Sequence, residues 1–157
     1  MIHQLSDFLR GTLKKDDQQQ VTLTEELAHL QLYLDIEKVR FGHRLSAEIS
    51  HDAKSGDMML PPMLLQPIVE NSIKFGLYDT TGSVTISITA KLEDGQLSIS
   101  IQNPFDPQTA QTRSGTGFGL SSIQRRLYLL YARKDLIETK AENNLFTTTV
   151  TIPQIHD

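Results

Sequence analysis

The chain has 157 residues, 38% of them apolar and 22% charged, a length that suits one domain with room for a short extra element at one end. With no cysteine it can hold neither a disulfide nor a thiolate metal centre, and apolar runs that recur from end to end with well-mixed charge exclude a disordered chain. Fifteen Lys and Arg against nineteen Asp and Glu give a net charge of −4 with no basic stripe, so nucleic acid is not an expected partner.

Residues 1–13, MIHQLSDFLRGTL, bring Ile2, Leu5, Phe8, Leu9 and Leu13 near one stripe and predict an amphipathic helix rather than a signal-peptide core. After the polar link Lys14–Gln20, Thr22-Leu-Thr-Glu25 has the pattern of a capping box. Leu23, Leu27, Leu30 and Leu34 then form a helical seam, either a core-facing stripe or a dimer surface. The alternation of Leu45, Ala47 and Ile49 predicts a strand, and Ser55-Gly56-Asp57 a turn. The longest apolar stretch, Met58 to Val69, is broken by Pro61, Pro62, Gln66 and Pro67, far from the about 20 apolar residues of a membrane span.

A helical pattern returns from Pro62 to about Phe75. Strands over Ser83–Lys91 and Gln96–Gln102 alternate about Asp94-Gly95, a strong hairpin signal. Residues 103–119 are polar, glycine-bearing and irregular, and a loop of that length in a small domain commonly serves as a lid. A helix over Phe118–Tyr131 and a hairpin of Asp135–Lys140 with Phe146–Ile152 complete the chain. Hairpins without regular βαβ spacing imply an α+β fold: a two-layer sandwich of helices on a mixed, largely antiparallel sheet, preceded by N-terminal helices.

Two constellations carry chemistry. On the helix through Leu64-Leu-Gln-Pro-Ile-Val-Glu70-Asn71-Ser-Ile-Lys74-Phe-Gly76, Leu65, Ile68 and Ser72 share one side while Glu70, Asn71 and Lys74 share the other. That polar side is either a solvated face with a Glu70–Lys74 i,i+4 pair or a site. As a site, Asn71 offers a neutral oxygen to a hard cation, Glu70 orients or deprotonates a hydroxyl or water, and Lys74 faces phosphate. The second is Ser114-Gly115-Thr116-Gly117-Phe118-Gly119-Leu120, whose glycines allow close backbone approach and whose following helix presents free N–H groups to an anion. Alone, such a segment could be only a hinge. It is neither a Walker A loop, lacking Gly-Lys-Ser/Thr, nor a dinucleotide fingerprint, since the preceding strand ends well before it.

The pair in this order resembles the catalytic, ATP-binding domain of LytS/YehU-type bacterial sensor histidine kinases, within the wider GHKL (Bergerat-fold) group. Glu70-Asn71-Ser-Ile-Lys74-Phe-Gly76 is similar to that family's N box and Gly115-Thr-Gly-Phe-Gly119-Leu to its G2 box. The runs Leu23-Thr-Glu-Glu-Leu27, Tyr33-Leu-Asp-Ile-Glu-Lys-Val-Arg40-Phe-Gly, Leu60-Pro-Pro-Met-Leu-Leu-Gln-Pro and Ser122-Ile-Gln-Arg-Arg-Leu127 extend the likeness over nearly the whole chain. The resemblance implies that Asn71 coordinates Mg²⁺ on ATP phosphates, that Glu70 assists the attacking group and that Lys74 meets a phosphate. It further implies that Gly115, Thr116, Gly117, Phe118, Gly119 and Leu120 close over the triphosphate.

Where the family has an Asp-x-Gly-x-Gly box that reads adenine, this chain has Asn103-Pro-Phe-Asp-Pro. Asn103 could still accept from an adenine amino group, more weakly than a carboxylate, or could simply end a strand. Pro104 and Pro107, with both glycines of that box missing, stiffen the start of the lid. Phe75 stands where the family commonly has His.

None of His3, His29, His43, His51 and His156 lies in the family's acceptor motif. The resemblance therefore implies an ATP-binding unit, residues 43–157, after a helical segment, residues 1–42, that ends a dimerisation region. The γ-phosphoryl group would pass to a histidine on an upstream helix of the same or a paired subunit, outside this chain, and then to a response regulator. The parent would be a homodimeric inner-membrane sensor with this part in the cytoplasm. The alternative is a nucleotide-binding or dimerisation module of a degenerate kinase without phosphotransfer.

Overall fold

A computed structural model of the chain describes residues 20–79, 82–105 and 118–154. In chain order these form β1 (Val21–Thr22), α1 (Leu23–Phe41), a 3-10 turn (Gly42–Arg44), β2 (Leu45–His51), β3 (Met59–Leu60), α2 (Gln66–Asp79), β4 (Val84–Glu93), β5 (Gln96–Pro104), α3 (Phe118–Tyr131), β6 (Ile137–Glu142) and β7 (Leu145–Pro153). Five strands make one sheet in the order β2-β4-β5-β7-β6, with β2 parallel to β4 and every other neighbour antiparallel. The helices cover one face, which is the expected α+β sandwich on a mixed, largely antiparallel sheet. Among the described residues no helix is long and apolar enough to cross a membrane.

The alternation read from the sequence sorts the two faces of the sheet. Val84, Ile86, Ile88 and Ala90 of β4, Leu97, Ile99 and Ile101 of β5, and Val150 and Ile152 of β7 are buried in one core. Leu23, Leu27, Leu30 and Leu34 of α1 join that core, so the leucine seam is core-facing and is not a dimer surface. The capping box forms as expected: Glu25 N–H donates to Thr22 Oγ1 at 3.1 Å and Thr22 N–H to Glu25 Oε1 at 3.2 Å. Both sheet hairpins turn through pairs with positive φ, Asp94-Gly95 (55° and 75°) and Asn143-Asn144 (54° and 62°), whose twist suits two-residue connections. The edge strand β6 shows Glu138, Lys140 and Glu142 to solvent, charges that discourage edge pairing.

Two features depart from expectation. A two-residue ribbon pairs β1 with β3 and closes the start of α1 against residues 59–60. The second helix begins at Gln66 rather than Pro62, because Met63 has φ 61° and the Glu26 carboxylate captures backbone donors of the intervening turn.

Candidate functional site

The helix α2 divides as its sequence predicts. Ile68 and Ser72, with Leu65 just before the helix, are buried, whereas Glu70 and Lys74 are exposed and Asn71 is half-buried at the boundary. The i,i+4 ion pair between Glu70 and Lys74 does not form; Glu70 Oε1 instead accepts from Gln66 Nε2 at 3.0 Å. Burial, with the carboxylates of Glu37 and Glu70 adding to it, pushes the Tyr33 phenol up to about 12, which sets this α1 side chain beside the Glu70 charge.

At its far end α2 meets the sheet through a glycine. A Cβ on Gly76 would lie 2.9 Å from Val84 Cγ1 and 3.6 Å from the Pro104 carbonyl oxygen, so the missing side chain is what lets the helix approach the ends of β4 and β5. Asn71 lies five residues up the same helix, roughly 7.5 Å of rise.

Asn103 occupies the last core-facing position of β5 and is 1% exposed. Its side-chain Nδ2 donates to the Pro104 carbonyl at 2.9 Å, and among the described residues its Oδ1 has no hydrogen-bond donor. Across the ladder Asn103 pairs with Phe146, and Ile101 with Thr148. Thr148 is 2% exposed, and its hydroxyl likewise has no side-chain partner among the described residues. Phe105 packs edge-on against Phe146, ring centroids 6.0 Å apart. The end of β5 and the start of β7 paired with it thus carry two buried polar groups beside an aromatic pair. Buried polar groups are normally satisfied, so two on a shared face that find no partner among the described residues are chemistry a polar, flat ligand would complete.

Two contacts hold the entrance to α2. Glu26, 3% exposed, accepts from Met63 N–H and Leu65 N–H, each at 3.1 Å. Arg126 of α3 donates through Nη2 to the Pro62 carbonyl at 2.8 Å. The turn before α2 is therefore fixed from α1 on one side and from the helix after the glycine-rich segment on the other.

Known proteins share both the sequence and the fold. A sequence model of the histidine kinase family matches residues 1–45. The chain is 34% identical over 130 residues to the sensor histidine kinase BtsS of Escherichia coli, covering 81% of this chain and 22% of that protein. It is 35% identical over 140 residues to the sensor protein LytS of Oceanobacillus iheyensis, covering 81% and 24%. The chain is homologous to part of the LytS- and BtsS-type sensor histidine kinases. It spans about a quarter of the length of these curated relatives. Among solved structures, the catalytic domain of histidine kinase ThkA superposes with a TM-score of 0.65 at 18% identity, over 88% of this chain and 98% of that one. The histidine kinase AdeS of Acinetobacter baumannii gives 0.63 at 13% identity, over 98% and 78%. These two likenesses show the fold alone, the one seen in the catalytic domain of ThkA and in AdeS.

In this kinase homologue, Glu70, Asn71 and Lys74 are brought to one outward face of α2, and Asn103 to the core-facing end of β5. Gly115, Thr116 and Gly117 lie outside the described residues, as do His3, Pro107 and His156. Phe118 and Gly119 fall in the first turn of α3, and Leu120 behind them is half-buried against the core. Phe75 is half-buried on α2. Thr148 and Phe146 carry no signal of this place in the sequence, since only the strand register brings them beside Asn103, and Phe105 is marked only by its edge-on packing on Phe146.

Proposed function

We propose that this chain is the Mg-ATP-binding catalytic part of a two-component sensor histidine kinase, and that it transfers the γ-phosphoryl group of ATP to a histidine carried on a helix outside this chain. The observation that carries the reading is the buried, acceptor-bearing Asn103 at the end of β5, joined through the Gly76–Pro104 contact to the helix that displays Glu70, Asn71 and Lys74. The homology to sensor histidine kinases supports it.

The residues present fit a nucleotide. Asn103 Oδ1, a buried acceptor without a donor among the described residues, suits the exocyclic amine of adenine, with the Thr148 hydroxyl and the Phe105–Phe146 pair beside it. Among the described residues no group of three or more His, Cys, Asp or Glu could hold a metal ion, so Mg²⁺ would be held by the Asn71 side-chain oxygen and by phosphate oxygens of the nucleotide. Bound there, the ion neutralises phosphate charge. Lys74, exposed and without an ion pair among the described residues, places a cation one turn further along α2, where it would meet a phosphate. Gly115 to Leu120 would close over the phosphates, their backbone N–H groups and the start of α3 favouring an anion.

Phosphoryl transfer rests mainly on alignment and charge. The unprotonated ring nitrogen of a neutral acceptor imidazole would attack the γ-phosphorus as the bond to the ADP oxygen breaks, while the Glu70 carboxylate accepts the hydrogen bond of the other ring N–H. Residues 1–42 would lead from the acceptor-bearing region into the nucleotide-binding unit, residues 43–157. A response regulator would take the group onward, and the parent of this chain would be a homodimeric membrane sensor whose catalytic part is cytoplasmic.

The test is labelling. This chain, mixed with a separately produced acceptor-histidine helix and γ-labelled ATP, is expected to give acid-labile, alkali-stable label on the helix. Bound ATP without label would point to a degenerate module that binds nucleotide but transfers nothing.

A further inference from the structure

Glu70 is tied to α1 by a hydrogen-bond chain that the proposed reaction does not explain. Gln66 Nε2 donates to Glu70 Oε1 at 3.0 Å, and Gln66 Oε1 lies 2.6 Å from His29 Nε2. The chemistry of the three groups sets the direction of this chain. An ionised carboxylate only accepts, so the Gln66 amide must turn its NH₂ toward Glu70 and its oxygen toward α1. His29 Nε2 must then carry the hydrogen, which it does both in one neutral tautomer and as imidazolium.

We propose that His29 and Gln66 are positioning residues: together they orient the Glu70 carboxylate toward the incoming acceptor. This rests on the kinase reading above. An exposed glutamate has three free torsions and would sample many rotamers. Pinning Oε1 holds the group in one orientation and leaves Oε2 without a partner among the described residues, since the Lys74 pair that could compete for it does not form. Tyr33, one turn beyond His29, lies close enough for the Glu70 charge to bear on its phenol, so α1 borders the carboxylate over two turns. The bond from Gln66 also explains why an amide sits at the first residue of α2, where nothing in the helix pattern asks for one.

The experiment compares His29→Ala, Gln66→Leu and His29→Gln in the labelling reaction with the acceptor helix, alongside ATP affinity by calorimetry. Losing one positioning hydrogen bond should slow transfer at saturating ATP by roughly tenfold in His29→Ala and Gln66→Leu. The ATP dissociation constant should stay within about twofold, since neither residue is placed at the nucleotide. His29→Gln, which keeps a donor at similar reach, should recover most of the rate. In a Glu70→Gln background His29→Ala should add nothing, because its effect runs through Glu70. An unchanged rate in His29→Ala, an equal loss in both backgrounds, or a loss of ATP affinity that accounts for the slower rate would each overturn this role. A wild-type chain that takes ATP but gives no label overturns the kinase reading itself, and this role with it.

Discussion

Asn103 gives its side-chain amide to the carbonyl of the next residue, Pro104, at 2.9 Å, and its own oxygen, on the buried face of β5, accepts from no donor among the described residues. The amide is therefore not a weaker copy of a carboxylate here. In Asn103→Asp an acceptor-only group would face the Pro104 oxygen in a buried place, where both desolvation and repulsion raise the carboxyl pKa. A raised folded-state pKa gives stability at low pH that is lost as pH rises. The variant should be less stable than wild type by roughly 1–3 kcal/mol at pH 7, with the deficit shrinking toward pH 4. Urea unfolding at the two pH values checks it; an equal deficit at both contradicts the contact.

Gly76→Ala should destabilise the fold although alanine is the better helix former. The gain of about 1 kcal/mol in propensity is opposed by a methyl placed 2.9 Å from Val84 Cγ1, on a stiff β-branched side chain in the core, and overpacking of that kind costs about 1–3 kcal/mol. Val84→Ala in the same molecule should make the pair of changes cost less than their sum, which a double-mutant cycle by chemical denaturation would read.

Much of this was legible in the chain. The alternation of Val84, Ile86 and Ile88 and the Asp94-Gly95 turn announce a hairpin, and α3 spans the residues its periodicity marks. Alternation reveals which face a side chain takes but not which strand lies beside it, so the parallel pairing of β2 with β4 was out of reach. The same blindness hid Thr148: in the run Thr147-Thr148-Thr149 nothing distinguishes the middle residue until the register sets it on the core face, diagonal to Asn103. The late start of α2 depends on a carboxylate 37 residues away from Met63 in sequence, a contact no local pattern contains. Gln66 was visible only as a polar break in an apolar stretch, and its bond to Glu70 displaces the Glu70–Lys74 pair that spacing suggests.

Glu26→Ala should be among the most damaging single changes on α1. It strips the acceptor from the N–H groups of Met63 and Leu65, at a cost of roughly 2–5 kcal/mol for two desolvated donors. Glu26→Gln keeps one acceptor oxygen and should lose about half as much. Hydrogen exchange at the Leu65 amide should accelerate in both variants more than exchange in β5 does; equal protection would contradict the clamp.

Asp52 offers a test in acid. A hydrogen bond from Ser55, aided by the backbone N–H groups of Leu92 and Ser55, holds its carboxyl below the usual carboxylate range. A depressed folded-state pKa adds stability above the unfolded value, near 3.9, and that stability is lost as pH falls through the lower folded value. Asp52→Ala should therefore differ from wild type at pH 6 and converge with it toward pH 2. A difference that persists at pH 2 would mean that the ionised form is not what holds the turn.

The central claim, that α2 and the end of β5 form one Mg-ATP site, is tested most directly by titrating ATP into the chain in a calorimeter, with Mg²⁺ and with a chelator. The wild type should bind ATP, and chelation should weaken binding. Asn71→Ala, whose half-buried side chain makes no hydrogen bond among the described residues, should unfold at the same denaturant concentration yet lose the Mg²⁺-dependent part of the affinity. Equal affinity in wild type and Asn71→Ala, each with and without Mg²⁺, would contradict the account.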